Sequence, residues 1–479
     1  MSHQSSPLAQ GRTPVPVAVI GVGCRLPGAH GSGQLWELLR SGRDATRPAP
    51  ADRFPPGTTV PAGGRRGGFL DGVEEFDAKF FGIPDDEAAA MDPQQRLLLL
   101  TAWEAVEDAG QDPRRLTGSR TGVFAGQSHA DHWERLREAR AGSLDLDALV
   151  GGHQRAMLAG RLSFHLGLHG PSVTLDCAQA SSLAAVHLAC LSLRAGESEL
   201  ALAGGANLLL GTTATEVFDR AGVLSGEGRC RFGDAGADGF VRSDGVGVVV
   251  LKALDRAVAD GDRIRAVILG SAMSHDGATK ERVTDPSGRG QALAMRWAYQ
   301  DAGIAPGDVG YVEAHGTGTR IDAVELGALT EVLAEGRPPG RPCLVGSVKT
   351  NIGHCEAAAG VAGLIKAVLC LEHGQVPPSL HHDTPSPLVD WDRLPLVVPA
   401  SPRPLPAVAG RPAIAAVNGQ GMSGTNVHVV LGRGPGSGTP AGDHDVAEAL
   451  PDGRGTPPAR GRHLRAHSPA GTAPSPHRD

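Results

Sequence analysis

The sequence predicts an α/β protein with layered packing, and three observations carry that expectation. The first is Ser172–Leu175, a short apolar β-branched run, followed by a turn of small residues and then by Ser181–Arg194, where Leu and Ala recur at helical spacing and Gly196 stands beyond as a stop. The second is that strand-like and helix-like stretches alternate on both sides of this segment. The third is a fresh apolar strand over residues 264–270, which opens a second half, although no internal repeat is visible in the sequence.

Taken in order, residues 1–13 form a polar leader, and residues 15–20 form a buried strand that runs into Gly21-Val22-Gly23-Cys24-Arg25-Leu26-Pro27-Gly28. A strand followed by Gly-x-Gly invites a dinucleotide-binding reading. The third glycine of that fingerprint would fall at Leu26, and Pro27 with Gly28 continue a loop, so a tight structural turn is expected instead. Residues 39–72 are rich in Pro, Gly, Arg and Asp and are expected to wander over the surface before Phe76, Phe80 and Phe81 return the chain to the core. A helix follows with a complete set of signals: Asp92 as N-cap, Pro93 at its first position, apolar periodicity through residue 109 and Gly110 as the stop. Short strands are expected at residues 121–126, 201–210 and 246–251.

Composition narrows the class. With 479 residues, 41% hydrophobic content and a net charge of −7, the chain can build a sizeable core and gives no electrostatic reason to expect nucleic acid. Seven cysteines without a C-x-x-C pair match neither a disulfide framework nor a zinc site, so reduced thiols, no metal and no cofactor are expected. No apolar run approaches membrane-spanning length and no secretory signal is present, so a cytoplasmic protein without a membrane partner is expected.

The chemistry is aimed at the turn after Leu175. Strand, sharp turn and buried helix form a nucleophile elbow, which holds one side chain near a helix N-terminus where free N–H groups favour a thiolate or an oxyanion. The residue at that point is Gln179. An amide neither ionises nor attacks a carbonyl usefully, so this elbow cannot form a covalent intermediate. Cys177 lies two residues earlier, does not share the apex, and is expected to act as a small buried hydrophobe. The second half carries Val312-Glu313-Ala314-His315-Gly316-Thr317-Gly318-Thr319, a strand running into a glycine-flanked loop, and then Gly346-Ser347-Val348-Lys349-Thr350-Asn351-Ile352-Gly353-His354-Cys355-Glu356 before a small-residue helix over residues 357–371. A phosphate-cradling loop would require Lys after the glycines and a helix start, which the first of these lacks. Near the end stands Val417-Asn418-Gly419-Gln420-Gly421-Met422-Ser423-Gly424-Thr425-Asn426-Val427-His428.

Together these motifs resemble the β-ketoacyl synthases of modular polyketide assembly, from Val15 to Leu431 and in the same order. Asp176-Cys177-Ala178-Gln179-Ala180-Ser181-Ser182-Leu183 is similar to that family's active-site segment, Asp-Thr-Ala-Cys-Ser-Ser-Ser-Leu, with Gln179 in place of the nucleophilic cysteine. The resemblance implies a thiolase-like fold of two similar βαβαβ halves, here 14–260 and 261–432, with residues 433–479 a disordered tail low in large apolar residues. It implies that His315 and His354 donate to the thioester carbonyl, that Lys349 supports the second histidine, and that the main-chain N–H groups of Gln179 and Met422 form an oxyanion hole. It further implies that Thr317 and Thr319 bind substrate carried on the phosphopantetheine arm of an acyl carrier protein met in trans, and that the protein is a homodimer. Two departures are visible: family members usually carry Phe where this chain has Gln420 and Met422, and the stretch Arg320-Ile321-Asp322 is one residue short. The expected function is decarboxylation of a malonyl-type thioester to supply a starter acyl unit. A non-catalytic partner similar to a chain-length factor, or a decayed synthase, are the alternatives; such partners also carry Gln at the elbow but usually lose the histidines retained here.

Overall fold

The computed structural model describes residues 15–55, 57–139 and 145–435, so the expected leader and nearly all of the expected tail lie outside the described residues. The first half contributes β1 (Val17–Leu26), α1 (Pro93–Asp108), β2 (Thr121–Gly126), β3 (Ser172–Leu175), α2 (Ser181–Arg194), β4 (Leu200–Asn207) and β5 (Gly245–Ala253). The second contributes β6 (Ala266–His275), α3 (Gly288–Ala302), β7 (Tyr311–Glu313), α4 (Asp322–Leu333), β8 (Cys343–Gly346), α5 (Ala359–His373), β9 (Leu396–Val397), β10 (Ile414–Gln420) and β11 (Thr425–Arg433). Arg433, assigned from sequence to the tail, is the last residue of β11.

Strand order reveals the duplication that the sequence hides. The first half runs β3-β2-β4-β5-β1 and the second β8-β7-β10-β11-β6, with β9 added beyond β8. In each half the first strand pairs antiparallel with the last, the last antiparallel with the fourth, and the fourth, second and third lie parallel. The halves join where Val17, Ala18 and Val19 of β1 pair with Ile268, Val267 and Ala266 of β6.

Alternation along the strands divides the core into layers. Val17, Val19, Val249, Leu251, Val417, Val429 and Leu431 pack on α2 and α5, which are sandwiched between the halves. Ala18, Ile20, Val248 and Val250 face α1 on one outer side, while Val312, Val345, Ala416 and Val430 face α3 and α4 on the other. The result is the expected α/β/α/β/α sandwich, and it places the turns after β3, β7 and β8 and the β10–β11 hairpin around one site.

Two expectations are corrected. Gly21 and Gly23 are not a turn: β1 continues to Leu26, and the glycines let the strand press against α1, since a Cβ at Gly21 would lie 2.3 Å from the Ala105 carbonyl oxygen and one at Gly23 2.3 Å from that of Thr101. The stretch over residues 39–72 is not wholly superficial either. Arg53 is buried and its Nη1 donates to Asp244 Oδ2 at 2.6 Å, while Phe69 and Leu70 are buried and Phe80 is half exposed. Arg53 Nη2 donates to the Leu70 carbonyl at 2.6 Å, so the buried guanidinium is both paired and hydrogen-bonded. The α1 signals hold: Asp92 Oδ1 accepts from the Gln94 N–H at 2.8 Å, Pro93 is the first helical residue and Gly110 has a φ of 70°.

Candidate active site

The elbow is built by short polar contacts in a tight space. Ala178 takes a φ of 52°, a conformation that costs an L-residue energy and persists because its surroundings hold it. Its N–H donates to Asp176 Oδ1 at 3.0 Å, and Ser181 Oγ accepts from the Cys177 N–H at 2.9 Å while donating to the Ala178 carbonyl at 2.5 Å. Gln179, which follows, is presented toward the β10–β11 hairpin. Gly421 is required opposite it: a Cβ there would lie 2.3 Å from the Cys177 carbonyl oxygen.

The Gln179 side-chain carbonyl, Oε1, accepts from the Met422 main-chain N–H at 3.0 Å. The donor expected from sequence to stabilise an oxyanion is therefore occupied by the Gln179 side-chain amide. Cys177 is half-buried; burial, with Asp176 nearby, raises its thiol above the usual value and disfavours the reactive thiolate.

His315 and His354 converge from two loops of the second half, their rings 5.3 Å apart and nearly perpendicular at 77°. Main-chain donors set both tautomers. The Gln420 N–H approaches His315 Nδ1 at 3.4 Å, and the Glu356 N–H donates to His354 Nδ1 at 3.0 Å, so each ring carries its proton on Nε2. Burial drives the imidazolium form down in both, with Lys349 adding to the effect: His315 falls well below the ordinary histidine value and His354 to about 3. The pair is neutral at physiological pH and presents two N–H donors. Lys349 opens the short helix Lys349–Ile352 and is itself buried, its pKa lowered by desolvation against the pull of Glu313 and Glu325. Lys349, expected to support the second histidine, acts on both rings as a nearby charge, while the contact that orients the His354 ring is the Glu356 N–H.

The loop after β7 is held by the acidic residues that follow it. Glu325 Oε1 accepts from the His315 N–H at 2.7 Å and its Oε2 from the Gly316 N–H at 2.9 Å, while Asp322 accepts from the Thr317 and Gly318 N–H groups at 3.1 and 3.0 Å. The acidic first turn of α4 thus captures four amides in succession. Thr317 and Thr319 share a hydroxyl contact of 2.8 Å, and Thr317 also reaches Asp322 Oδ1 at 3.2 Å.

Several residues that fix the site were not singled out from sequence. Glu313, at the end of β7, accepts from the Val348 N–H at 2.5 Å and forms a buried ion pair of 2.8 Å with Lys366 of α5. A charged residue inside an apolar strand was the available signal. Glu356 lies 2.6 Å from Arg242 Nε and 2.6 Å from His129 Nε2; burial raises its carboxyl, but the two cations outweigh this and hold it well below the usual range. No spacing in the sequence links these three. Among the described residues no group of three or more potential ligands is placed to hold a metal ion, and no helix is long and apolar enough to cross a membrane.

Comparison with known proteins accords with this geometry. Residues 15–257 match the family model for the β-ketoacyl synthase N-terminal domain, and residues 265–383 that for the C-terminal domain. The chain is 47% identical to Polyketide synthase GfsA of Streptomyces halstedii over 93% of this chain and 6% of that protein. It is 46% identical to the mycocerosic acid synthase-like polyketide synthase of Mycolicibacterium smegmatis over 88% of this chain and 20% of that one, so it spans a small part of these relatives. Among solved structures, the ketosynthase from module 6 of the bacillaene synthase of Bacillus subtilis 168 superimposes with a TM-score of 0.80 at 37% identity, covering 87% of this chain and 72% of that one. Two matched domain models, polyketide synthase relatives and a shared thiolase-like sandwich lead to one conclusion: the chain belongs to the β-ketoacyl synthase family, as a ketosynthase domain of the modular polyketide type.

Proposed function

We propose that this domain decarboxylates a malonyl-type thioester on an acyl carrier protein, supplying a starter acyl unit, and forms no acyl-enzyme of its own. The observation that carries this reading is the Gln179 Oε1 contact with the Met422 N–H, which fills the elbow with a neutral, non-nucleophilic group while His315 and His354 remain paired as donors.

The chemistry follows from the groups present. The thioester carbonyl of the bound malonyl group accepts from Nε2–H of His315 and His354. The bond between Cα and the carboxylate breaks, CO2 departs, and its electron pair becomes an enolate whose oxygen is met by the two donors already in place. Neutral imidazoles suit this role because they need not lose a proton or reorganise as charge develops. With no acyl group at position 179 to attack, the enolate carbon takes a proton, giving the acyl thioester. Thr317 and Thr319, beside His315, are proposed to bind the phosphopantetheine arm. A partner protein that only shapes a neighbour's tunnel would have no use for two rings held in the donating tautomer.

The test is mass spectrometry of a malonyl-loaded carrier protein incubated with the domain. Loss of one CO2 equivalent is expected; a carrier of unchanged mass overturns the proposal.

A homodimer is proposed as well. Among the described residues β3 ends the sheet, Val173 on it is 39% exposed, and Phe164 on the adjoining helix Met157–Leu166 is 79% exposed, an apolar edge suited to a second copy.

A further inference from the structure

We infer that His428, on the opposite side of β10 from the elbow, is a positioning residue for His315, acting through the side chains of Asn418 and Glu325. This rests on His315 being a donor in the proposed reaction. Nδ1 of His428 lies 2.6 Å from Asn418 Oδ1, Asn418 Nδ2 donates to Glu325 Oε1 at 2.8 Å, and Glu325 accepts from the His315 and Gly316 N–H groups. Every member is buried.

The direction of each bond is forced. Glu325 Oε1 already accepts the His315 N–H and meets Asn418 as an acceptor, so Asn418 turns its NH2 to Glu325 and its carbonyl to His428. His428 Nδ1 must then carry the proton. Burial supports that neutral form, taking His428 to about 3, and its ring packs edge-on against Tyr299 at 4.9 Å. An asparagine amide is symmetric enough to sit either way round, so the His428 proton decides which end meets the carboxylate. Turned over, Asn418 would face Glu325 with an oxygen, and two acceptors without a proton between them repel. Glu325 would lose a donor while buried beside Asp322, and its hold on the two loop amides would loosen.

The experiment compares the parent with His428→Phe, which keeps the ring but removes the donor, and His428→Asn, whose Nδ2 stands close to where Nδ1 was. Hydrogen exchange of the peptide carrying His315 and Gly316 is followed beside decarboxylation of malonyl-carrier. In His428→Phe this peptide should exchange about tenfold faster and kcat should fall about tenfold with KM for the carrier unchanged, the scale of losing a hydrogen bond to a charged group. In His428→Asn both should return to within about threefold of the parent. The β1 peptide serves as control and should not change. Unaltered exchange at His315 and Gly316 in His428→Phe, or failure of His428→Asn to restore it while β1 stays protected, overturns the inference. If the parent does not decarboxylate, the proposed function fails, and the exchange comparison alone still decides the role of His428.

Discussion

At the scale of single residues, the proposed function turns on one amide oxygen, that of Gln179. A thiol at position 179 would leave the Met422 N–H free for an oxyanion; the glutamine takes that N–H for itself. In the proposed mechanism the two histidines hold the enolate oxygen, so His315→Ala or His354→Ala should slow decarboxylation by ~100-fold or more while carrier binding survives. Parent rates in both variants would remove the histidines from the mechanism. Their protonation gives a second expectation. Both pKa values are depressed, so the rings stay neutral as pH falls from 8 to 5, and the rate should show no loss over that range attributable to imidazole protonation. The sequence exposed these residues because glycines and small residues flank them in ordered motifs. It did not expose their tautomers, which depend on the Gln420 and Glu356 main-chain amides brought in by other loops.

At the scale of elements, the strands and helices that could be read from sequence are those whose signals are local. Ser172–Leu175 and Ser181–Arg194 have the expected ends because β-branched residues and then helical periodicity meet at a turn. β1 overran its expected end because its glycines answer to α1, a partner about eighty positions away in sequence. The α1 cap carries its own prediction. Burial, with Asp131 adding to it, raises the Asp92 carboxyl to about 7, well above its value in an unfolded chain. The folded state therefore binds more protons than the unfolded one between the two values, and this group's contribution to stability is lost as pH rises through about 7. Asp92→Asn keeps a side-chain oxygen for the Gln94 N–H and cannot ionise, so urea denaturation at pH 5 and pH 8 should show a smaller drop in stability than for the parent. An equal drop would mean that Asp92 is not the titrating group.

At the scale of the whole molecule, the duplicated sheet brings loops from both halves to one place, and buried ties hold the halves together. Val361 of α5 donates its N–H to Ser182 Oγ of α2 at 3.0 Å, and Gly360 is needed because a Cβ there would lie 2.6 Å from that of Leu183. Within the second half, Glu313 of β7 pairs with Lys366 of α5 out of reach of water, so Glu313→Gln leaves a buried ammonium without its counter-charge. Unfolding measurements should register a loss of about 3–5 kcal/mol, and a loss below about 1 would show the pair to be dispensable. The open edge at β3 belongs to this scale too: sedimentation at micromolar concentration should report a dimer, and Val173→Lys should shift it toward monomer. The contact of Val361 with Ser182 was not legible beforehand, since it joins helices 179 positions apart, whereas Glu313 inside an apolar strand and the apolar edge at β3 both left a local signal.

The central claim is that Gln179 uncouples decarboxylation from acylation. It is tested most directly by weighing both proteins in one incubation, the malonyl-loaded carrier and the domain, for the parent and for Gln179→Cys, with Cys177→Ser as control. The parent should convert malonyl-carrier to the decarboxylated acyl-carrier while its own mass stays constant, in the Cys177→Ser background as well, and Gln179→Cys should gain the mass of an acyl group. Acylation of the parent that vanishes in Cys177→Ser would place the chemistry on the neighbouring thiol and contradict the account.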